Sequence, residues 1–171
     1  LRGNIMGKYD EILHFYKLNT IIGNVYIAKS EKGLRNIELI EDKWKDFNKK
    51  YKLIENKDIC KNEIEQINEF FLGQRKEFDL VLDIEGTDFR KKVWMELLKI
   101  PYGEVRSYSD IAKAIGNEKA VRAIGQANKA NPIPIVIPCH RVIGKNQKLI
   151  GYAGNHTDIQ EKLLNFEKNN N

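Results

Sequence analysis

Three of the four prolines in this chain crowd into residues 132–138, as Pro132, Pro134 and Pro138. Proline fixes its own φ, lacks an amide hydrogen, and pushes the preceding residue towards extended backbone. No regular helix can pass through such a segment. The apolar residues Ile133–Ile137 between the prolines read as a short strand-like run, and it ends on Pro138-Cys139-His140-Arg141. Whatever lies on either side must fold around an irregular stretch that delivers a thiol, an imidazole and a guanidinium together.

Helical signals flank that stretch. Thr87 can cap a helix running to about Lys99, with Phe89, Val93, Trp94, Leu97 and Leu98 on its apolar face. Pro101-Tyr102-Gly103 stops it. Ser107 and Asp110 stand at capping-box spacing ahead of Ile111–Ile115. Gly116-Asn117 makes a tight turn, and Glu118–Lys129 reads as the next helix. Two short helices joined by a glycine turn form a helix-turn-helix pattern. Gly144, Gly151 and Gly154 mark a loop, followed by a last helix from about Asp158 to Glu167.

The first half has a different period. Ile12–Leu18 and Ile21–Ala28 alternate as strands on either side of a turn placed at Asn19-Thr20, and Leu34–Ile40 reads as a third strand. Trp44–Tyr51 fits either a helix or a strand. Ile59–Leu72 carries a helical apolar stripe ending at Gly73, and Cys60 within it reads as a packed thiol. Phe78–Ile84 alternates again as an extended connection. The expected fold is α+β. A small N-terminal α/β domain with a short antiparallel sheet (1–85) precedes a mainly helical, winged-helix-like C-terminal domain with a helix-turn-helix (86–171).

Charge separates the two halves. Residues 1–85 hold 15 Lys/Arg and 16 Asp/Glu (net −1), whereas residues 86–171 hold 14 and 8 (net +6), so the second half carries the excess behind the whole chain's +5. A basic half suits a polyanionic partner, although a merely soluble basic surface fits the count as well. No apolar run approaches the roughly 20 residues a membrane helix needs. The N-terminal residues lack the pattern of a signal peptide. A soluble protein working in the cytoplasm, or in the nucleus of a eukaryotic host, is therefore expected, with no membrane partner. Two cysteines and three histidines without ligand spacing give neither a disulfide framework nor a metal site. No cofactor is expected.

The chemistry of Cys139 must then be that of a free thiol. Such a group is only slightly ionised at neutral pH, with a reference pKa of about 8.5, so a reactive one needs a base, a cation or a helix amino terminus. Pro138 suits the first position of a helical turn, His140 offers a base, and Arg141 a positive charge. Adjacent residues do not face each other on a turn, which makes a bridging water the natural relay from thiol to imidazole. Cys-His adjacency alone is equally compatible with a buried structural thiol beside a surface histidine.

The wider pattern is more specific. Pro138-Cys139-His140-Arg141-Val142 resembles the active-site signature of the O6-alkylguanine-DNA alkyltransferase family. Gly86-Thr87, Val93-Trp94, Ile100-Pro101, Gly103-Glu104, Ser107-Tyr108, Arg122-Ala123, Gly125, Ala127, Asn131-Pro132, Gly151-Tyr152 and Leu163-Leu164 follow in the family's order. The resemblance implies that Cys139 accepts the alkyl group, that His140 takes the thiol proton through water, and that Glu167 orients the imidazole. It implies that Tyr108 donates a proton to a guanine ring nitrogen. It makes Arg122 an intercalating residue, with Ser107, Ala123 and Ala127 on the DNA-binding surface and double-stranded DNA carrying alkylated guanine as the partner of a monomer. The pocket would be formed by Asn131, Val142, Tyr152, Ala153 and Gly154, with main-chain carbonyls of Cys139 and Val142 accepting the guanine amino group. Ala153-Gly154-Asn155-His156 departs from the family's more glycine-rich loop, and one extra residue lies between Tyr152 and Leu163-Leu164.

Three other readings remain to be weighed. A relative that only flags lesions would lack the acceptor Cys139. A helix-turn-helix regulator would leave the Cys-His-Arg block and Tyr108 unexplained. A cysteine hydrolase draws its histidine from a distant segment instead of the adjacent position.

Overall fold

A computed structural model of the chain describes residues 11–144 and 157–171. It divides into two compact units, one ending at Ile84 and one spanning Glu85–Asn171.

The first unit is built on a four-stranded sheet. Strands β1 (Ile12–Thr20), β2 (Gly23–Ser30) and β3 (Gly33–Glu38) are followed by helix α1 (Glu41–Lys50), strand β4 (Lys52–Glu55) and helix α2 (Lys61–Phe71). Their order across the sheet is β3-β2-β1-β4. The first three are antiparallel, but β4 lies parallel to β1, so the sheet is mixed where a purely antiparallel one was expected. Parallel pairing requires a crossover, and the stretch that was ambiguous in sequence supplies it as α1. Trp44 from α1 packs on Leu13, Tyr26 and Ala28, with Phe15, Phe47, Tyr51 and Leu53 around them. Side chains alternate across a strand, so Val25 and Ile27 point to the opposite face, where α2 packs against β1.

Two boundaries of this unit differ from the sequence reading. The first hairpin turns at Ile21-Ile22, not Asn19-Thr20, because Thr20 still pairs with Gly23. The Thr20 hydroxyl closes that turn by donating to the Gly23 carbonyl (2.8 Å) and accepting from the Ile22 amide (3.2 Å). Helix α2 does stop before Gly73, whose φ of 75° suits glycine. There the Gln74 and Gly73 amides bond to the Glu69 and Phe70 carbonyls, a Schellman end. Residues 78–84 run beside β3, where Leu34 bonds to Val81 and Asp83.

The second unit contains α3 (Asp88–Leu97), a two-residue strand β5 (Arg106–Ser107), α4 (Tyr108–Ala114), α5 (Val121–Lys129), a second short strand β6 (Val142–Ile143) and α6 (Thr157–Asn169). Strands β5 and β6 pair in parallel. Thr87 caps α3 by accepting from the Arg90 amide, and Gly86 stands where an added Cβ would meet the Trp94 ring at 2.6 Å. Trp94 is buried, and its indole N–H donates to the Ala127 carbonyl (2.8 Å), which ties α5 to α3.

The helix-turn-helix is α4–α5. Ser107 and Asp110 form a complete capping box at the start of α4. Gly116, at φ 75°, ends it with the same Schellman bonds as Gly73, from Gly116 to Lys113 and from Asn117 to Ala112. Residues 118–120, expected to be helical, belong instead to the turn, with the Ala120 amide bonded to the Asn117 carbonyl. Replacing Ser107 by Ala removes the acceptor for the Asp110 amide. We expect a loss of about 1 kcal/mol of stability, read from denaturant unfolding, with the slope of the transition unchanged.

Candidate active site

The segment 131–138 is a tight irregular turn and not the expected strand-like run. The Ile137 amide bonds back to the Ile133 carbonyl (2.8 Å), and Ile135 sits at φ 76°, rare for a β-branched residue. Closely spaced prolines favour this shape because they cannot donate to a ladder. Asn131 pins it from within: its side chain donates to the Ile137 carbonyl (2.8 Å) and accepts from the Ile133 amide (2.9 Å). The turn fixes where Cys139 emerges.

Cys139, His140 and Arg141 form a single 3-10 turn, with Pro138 just ahead of it and not at its first position. Cys139 is 2% exposed. So short a turn carries little dipole, which leaves activation to neighbouring side chains.

Those neighbours converge from far along the chain. His140 is fully buried, and its Nε2 lies 2.6 Å from Oε2 of Glu167 on α6. Arg141, which in sequence looked like a cation for the thiol, is directed at the same carboxylate. Its Nε and Nη2 donate to Glu167 at 2.9 and 2.8 Å, and its Nη1 donates to the Ile100 carbonyl at 2.7 Å. The Gly103 amide completes the set with a bond to Glu167 Oε1 (3.2 Å). Burial alone would raise the Glu167 carboxyl. The bonds and charges of His140 and Arg141 outweigh that and bring it down to about 2. For His140 burial dominates and lowers its pKa, with Arg141 adding to the effect and Glu167 opposing it.

The protonation pattern follows from the bonding. A carboxylate only accepts, so His140 carries its proton on Nε2 and a lone pair on Nδ1. Nδ1 has no hydrogen-bond partner among the described residues. A buried, neutral imidazole with a free lone pair beside a cysteine can serve as its base.

Two carboxamides frame the thiol segment, and neither was singled out by sequence reasoning. Asn128 on α5 donates through Nδ2 to the Cys139 carbonyl (3.3 Å) and also hydrogen-bonds the Tyr108 hydroxyl. Gln160 on α6 donates to the carbonyls of His140 (3.2 Å) and Val142 (2.9 Å). The Cys139 carbonyl also accepts from the Val142 amide, so both of its lone pairs are engaged. The signal for both carboxamides was a polar residue within an apolar stripe: Asn128 beside Ile124 and Ala127, Gln160 beside Ile159 and Leu163.

Tyr108 opens α4 and is half-buried. Burial, with Cys139 nearby, pushes its hydroxyl up to about 12 against the opposing bond from Asn128. It therefore keeps its proton at neutral pH.

On the outer face of α5, Arg122 and Ala123 are exposed, and a Cβ added at Gly125 would meet no atom of the described residues within 4 Å. Ala127, expected on the same surface, is instead fully buried, because the Trp94 bond turns that side of the helix inward. Ser107 is half-buried as the cap of α4, its hydroxyl engaged with the Asp110 amide. Tyr152, Ala153 and Gly154 lie outside the described residues. Cys60 is buried, and burial raises its thiol to about 11, so it is no rival nucleophile. Among the described residues, no group of three His, Cys, Asp or Glu could hold a metal ion, and no helix is long and apolar enough to cross a membrane.

Comparison with known proteins covers both units. Residues 88–169 match the model of the DNA binding domain of 6-O-methylguanine DNA methyltransferase, and residues 13–84 that of its ribonuclease-like domain. The chain is 46% identical to the constitutive methylated-DNA–protein-cysteine methyltransferase of Bacillus subtilis, over 91% of this chain and 95% of that one. It is 45% identical to the protein of that name from Methanosarcina barkeri, covering 92% and 99%. Among solved structures, the Mycobacterium tuberculosis O6-methylguanine methyltransferase superposes with a TM-score of 0.83 at 38% identity, covering 93% and 94%. A structure of Mycobacterium tuberculosis OGT in complex with DNA matches with a TM-score of 0.81 at 39% identity, covering 92% and 94%.

Proposed function

The chain belongs to the 6-O-methylguanine DNA methyltransferase family, and we propose that it repairs alkylated DNA by moving the alkyl group from O6 of guanine onto its own Cys139. The observation that carries the assignment to this cysteine is the buried array behind it. Glu167, neutralised by Arg141, holds His140 with its lone pair on Nδ1.

The step balances as an exchange of alkyl group for proton. Sγ forms a bond to the alkyl carbon while the bond from that carbon to O6 breaks. The thiol proton passes through a water to His140, and the imidazolium is stabilised by Glu167. Tyr108 gives its proton to a ring nitrogen, so guanine leaves neutral, and the phenolate is then reprotonated from the imidazolium through solvent. In net, the thiol loses one proton and guanine gains one, while Tyr108 and His140 return to their starting states. The thioether has no leaving group that water displaces readily, which makes each chain good for one transfer.

A guanine O6 in duplex DNA is reached by turning the base out of the stack. The exposed Arg122 and Ala123 on α5 support a helix laid on the minor groove, with Arg122 filling the gap left by the base. Arg122→Ala should slow repair of duplex roughly 10–100-fold, because flipping costs a few kcal/mol, while reaction with the free alkylated base is unchanged. Equal losses on both substrates would remove the flipping role.

The reading is tested by intact-protein mass after mixing with a short duplex containing O6-methylguanine. A gain of one methyl mass, mapped to the Cys139 peptide and limited to one per chain, supports it. Unchanged mass with retained binding would make this a lesion-binding protein without transfer.

A further inference from the structure

Asn128 occupies an unusual place. It lies on α5, the helix whose opposite face carries Arg122 and Ala123, yet it is 1% exposed and turned towards the chemistry. A carboxamide nitrogen has two hydrogens. At Asn128 one serves the Cys139 carbonyl at 3.3 Å, and the same side chain bonds the Tyr108 hydroxyl. The orientation of the amide is settled by this geometry, since exchanging its oxygen and nitrogen would bring two acceptors together at Cys139. A buried polar side chain in an apolar helix stripe costs stability unless its bonds serve a purpose. Its Oδ1 has no hydrogen-bond partner among the described residues, so this asparagine is not kept for full satisfaction of its own polar atoms.

We propose that Asn128 is a positioning residue for proton delivery. By bonding both the Tyr108 hydroxyl and the Cys139 carbonyl, it fixes donor and nucleophile in one frame, so that protonation of guanine keeps step with displacement. This rests on the alkyl-transfer reading above, and specifically on Tyr108 as the proton donor.

A merely structural asparagine would slow every substrate alike. A positioning one acts only through Tyr108. The test uses the full chain and single-turnover methyl transfer from a duplex containing O6-methylguanine, with duplex affinity measured separately. Asn128→Ala is expected to slow transfer about tenfold, the size of one lost hydrogen bond to a buried group, with affinity unchanged. In a Tyr108→Phe background the same substitution should cost nothing further. The loss should also shrink, in both single variants alike, for a free alkylated purine bearing an electron-withdrawing group, whose anion leaves without protonation. Asn128→Leu preserves volume without the donor and should behave as Asn128→Ala does, so a folding defect in either is separable by its melting temperature.

Additive losses in the double variant, or equal slowing of ordinary and activated substrates, would overturn the proposal. If Tyr108→Phe itself transfers at the full rate, Asn128 has no proton to position and the proposal falls while the alkyl-transfer reading stands. If the unmodified chain transfers nothing, both fall together.

Discussion

Cys139→Ser is expected to bind a duplex containing O6-methylguanine as the parent protein does, and to gain no methyl mass. The substitution changes one atom in a side chain that is almost wholly buried, so the 3-10 turn and the bond from Asn128 to the residue-139 carbonyl remain. What changes is the nucleophile. A thiol is far more acidic than an alcohol and so can give its proton to an imidazole base, and sulfur is the better nucleophile towards a saturated carbon. The transfer rate should fall by well over ~10³-fold, equivalent to more than ~4 kcal/mol of activation free energy. Methyl transfer at a comparable rate, or an adduct mapping to Cys60, would displace Cys139 from its role. Cys60 is a poor candidate in advance, with its thiol raised to about 11 by burial and by Glu63.

The second large effect is expected at Glu167. This carboxylate accepts from His140, twice from Arg141, and from the Gly103 amide, and it is 1% exposed. Glu167→Gln keeps the shape but removes the charge that compensates a buried guanidinium. Breaking a buried pair by deleting one partner costs about 3–5 kcal/mol, because the remaining charge is stranded. Transfer should slow as well, by roughly 10²–10⁴-fold, since the imidazolium loses its counter-charge and His140 its fixed tautomer. Denaturant unfolding and single-turnover rates, measured on the same preparation, check the two losses separately. A variant that unfolds at the parent's midpoint would show that the array contributes no net stability.

The same array sets a pH dependence. Glu167 has its folded pKa depressed to about 2, below the ordinary value of about 4.3. The unfolded chain therefore binds its proton first, and the stability it contributes is fully present above about pH 4.3 and lost as pH falls towards 2. His140 is lowered too, by burial first. Its unfolded form gains a proton below about pH 6.5 while the folded form resists, so its contribution works in the same direction and begins earlier. Stability of the parent should fall progressively on acidification from neutral pH. In Glu167→Gln the part below about pH 4.3 should be smaller, leaving the share of Asp83 and Asp110, whose carboxyls are also held below their ordinary values.

How much of this was legible in the sequence depended on how far apart the partners lie. Ser107 and Asp110, Thr87 and Arg90, and Gly116 are local devices, completed within four residues, and each appears where spacing placed it. The helix-turn-helix and the mixed α and β content were readable for that reason. Cys139 was readable because the residues beside it form a specific signature. The parallel strand β4 was not, since Lys52–Glu55 has only four residues and its partner Ile12–Phe15 lies across a hairpin and a helix. The position of the first turn also eluded periodicity, because apolar Ile21 and Ile22 resemble strand residues. Ala127 looked like a contact for DNA because it is small. Only the Trp94 indole, 33 residues earlier, decided that it faces inward.

The division has one physical origin. The sequence by itself determined which segments can be helix, strand or breaker, since backbone preferences and capping bonds act over a few residues. It also determined that a cysteine, a histidine and an arginine must stand together after a proline-rich turn. The tertiary structure alone decided what that trio touches. Burial left His140 neutral, and Glu167, 27 residues away, accepts the bond from its Nε2–H and pairs with the Arg141 guanidinium. The same packing turned Asn128 and Gln160 onto the carbonyls around the thiol. Hydrogen bonds between distant segments form only where packing brings donors and acceptors within 3 Å or so, and no local periodicity encodes that.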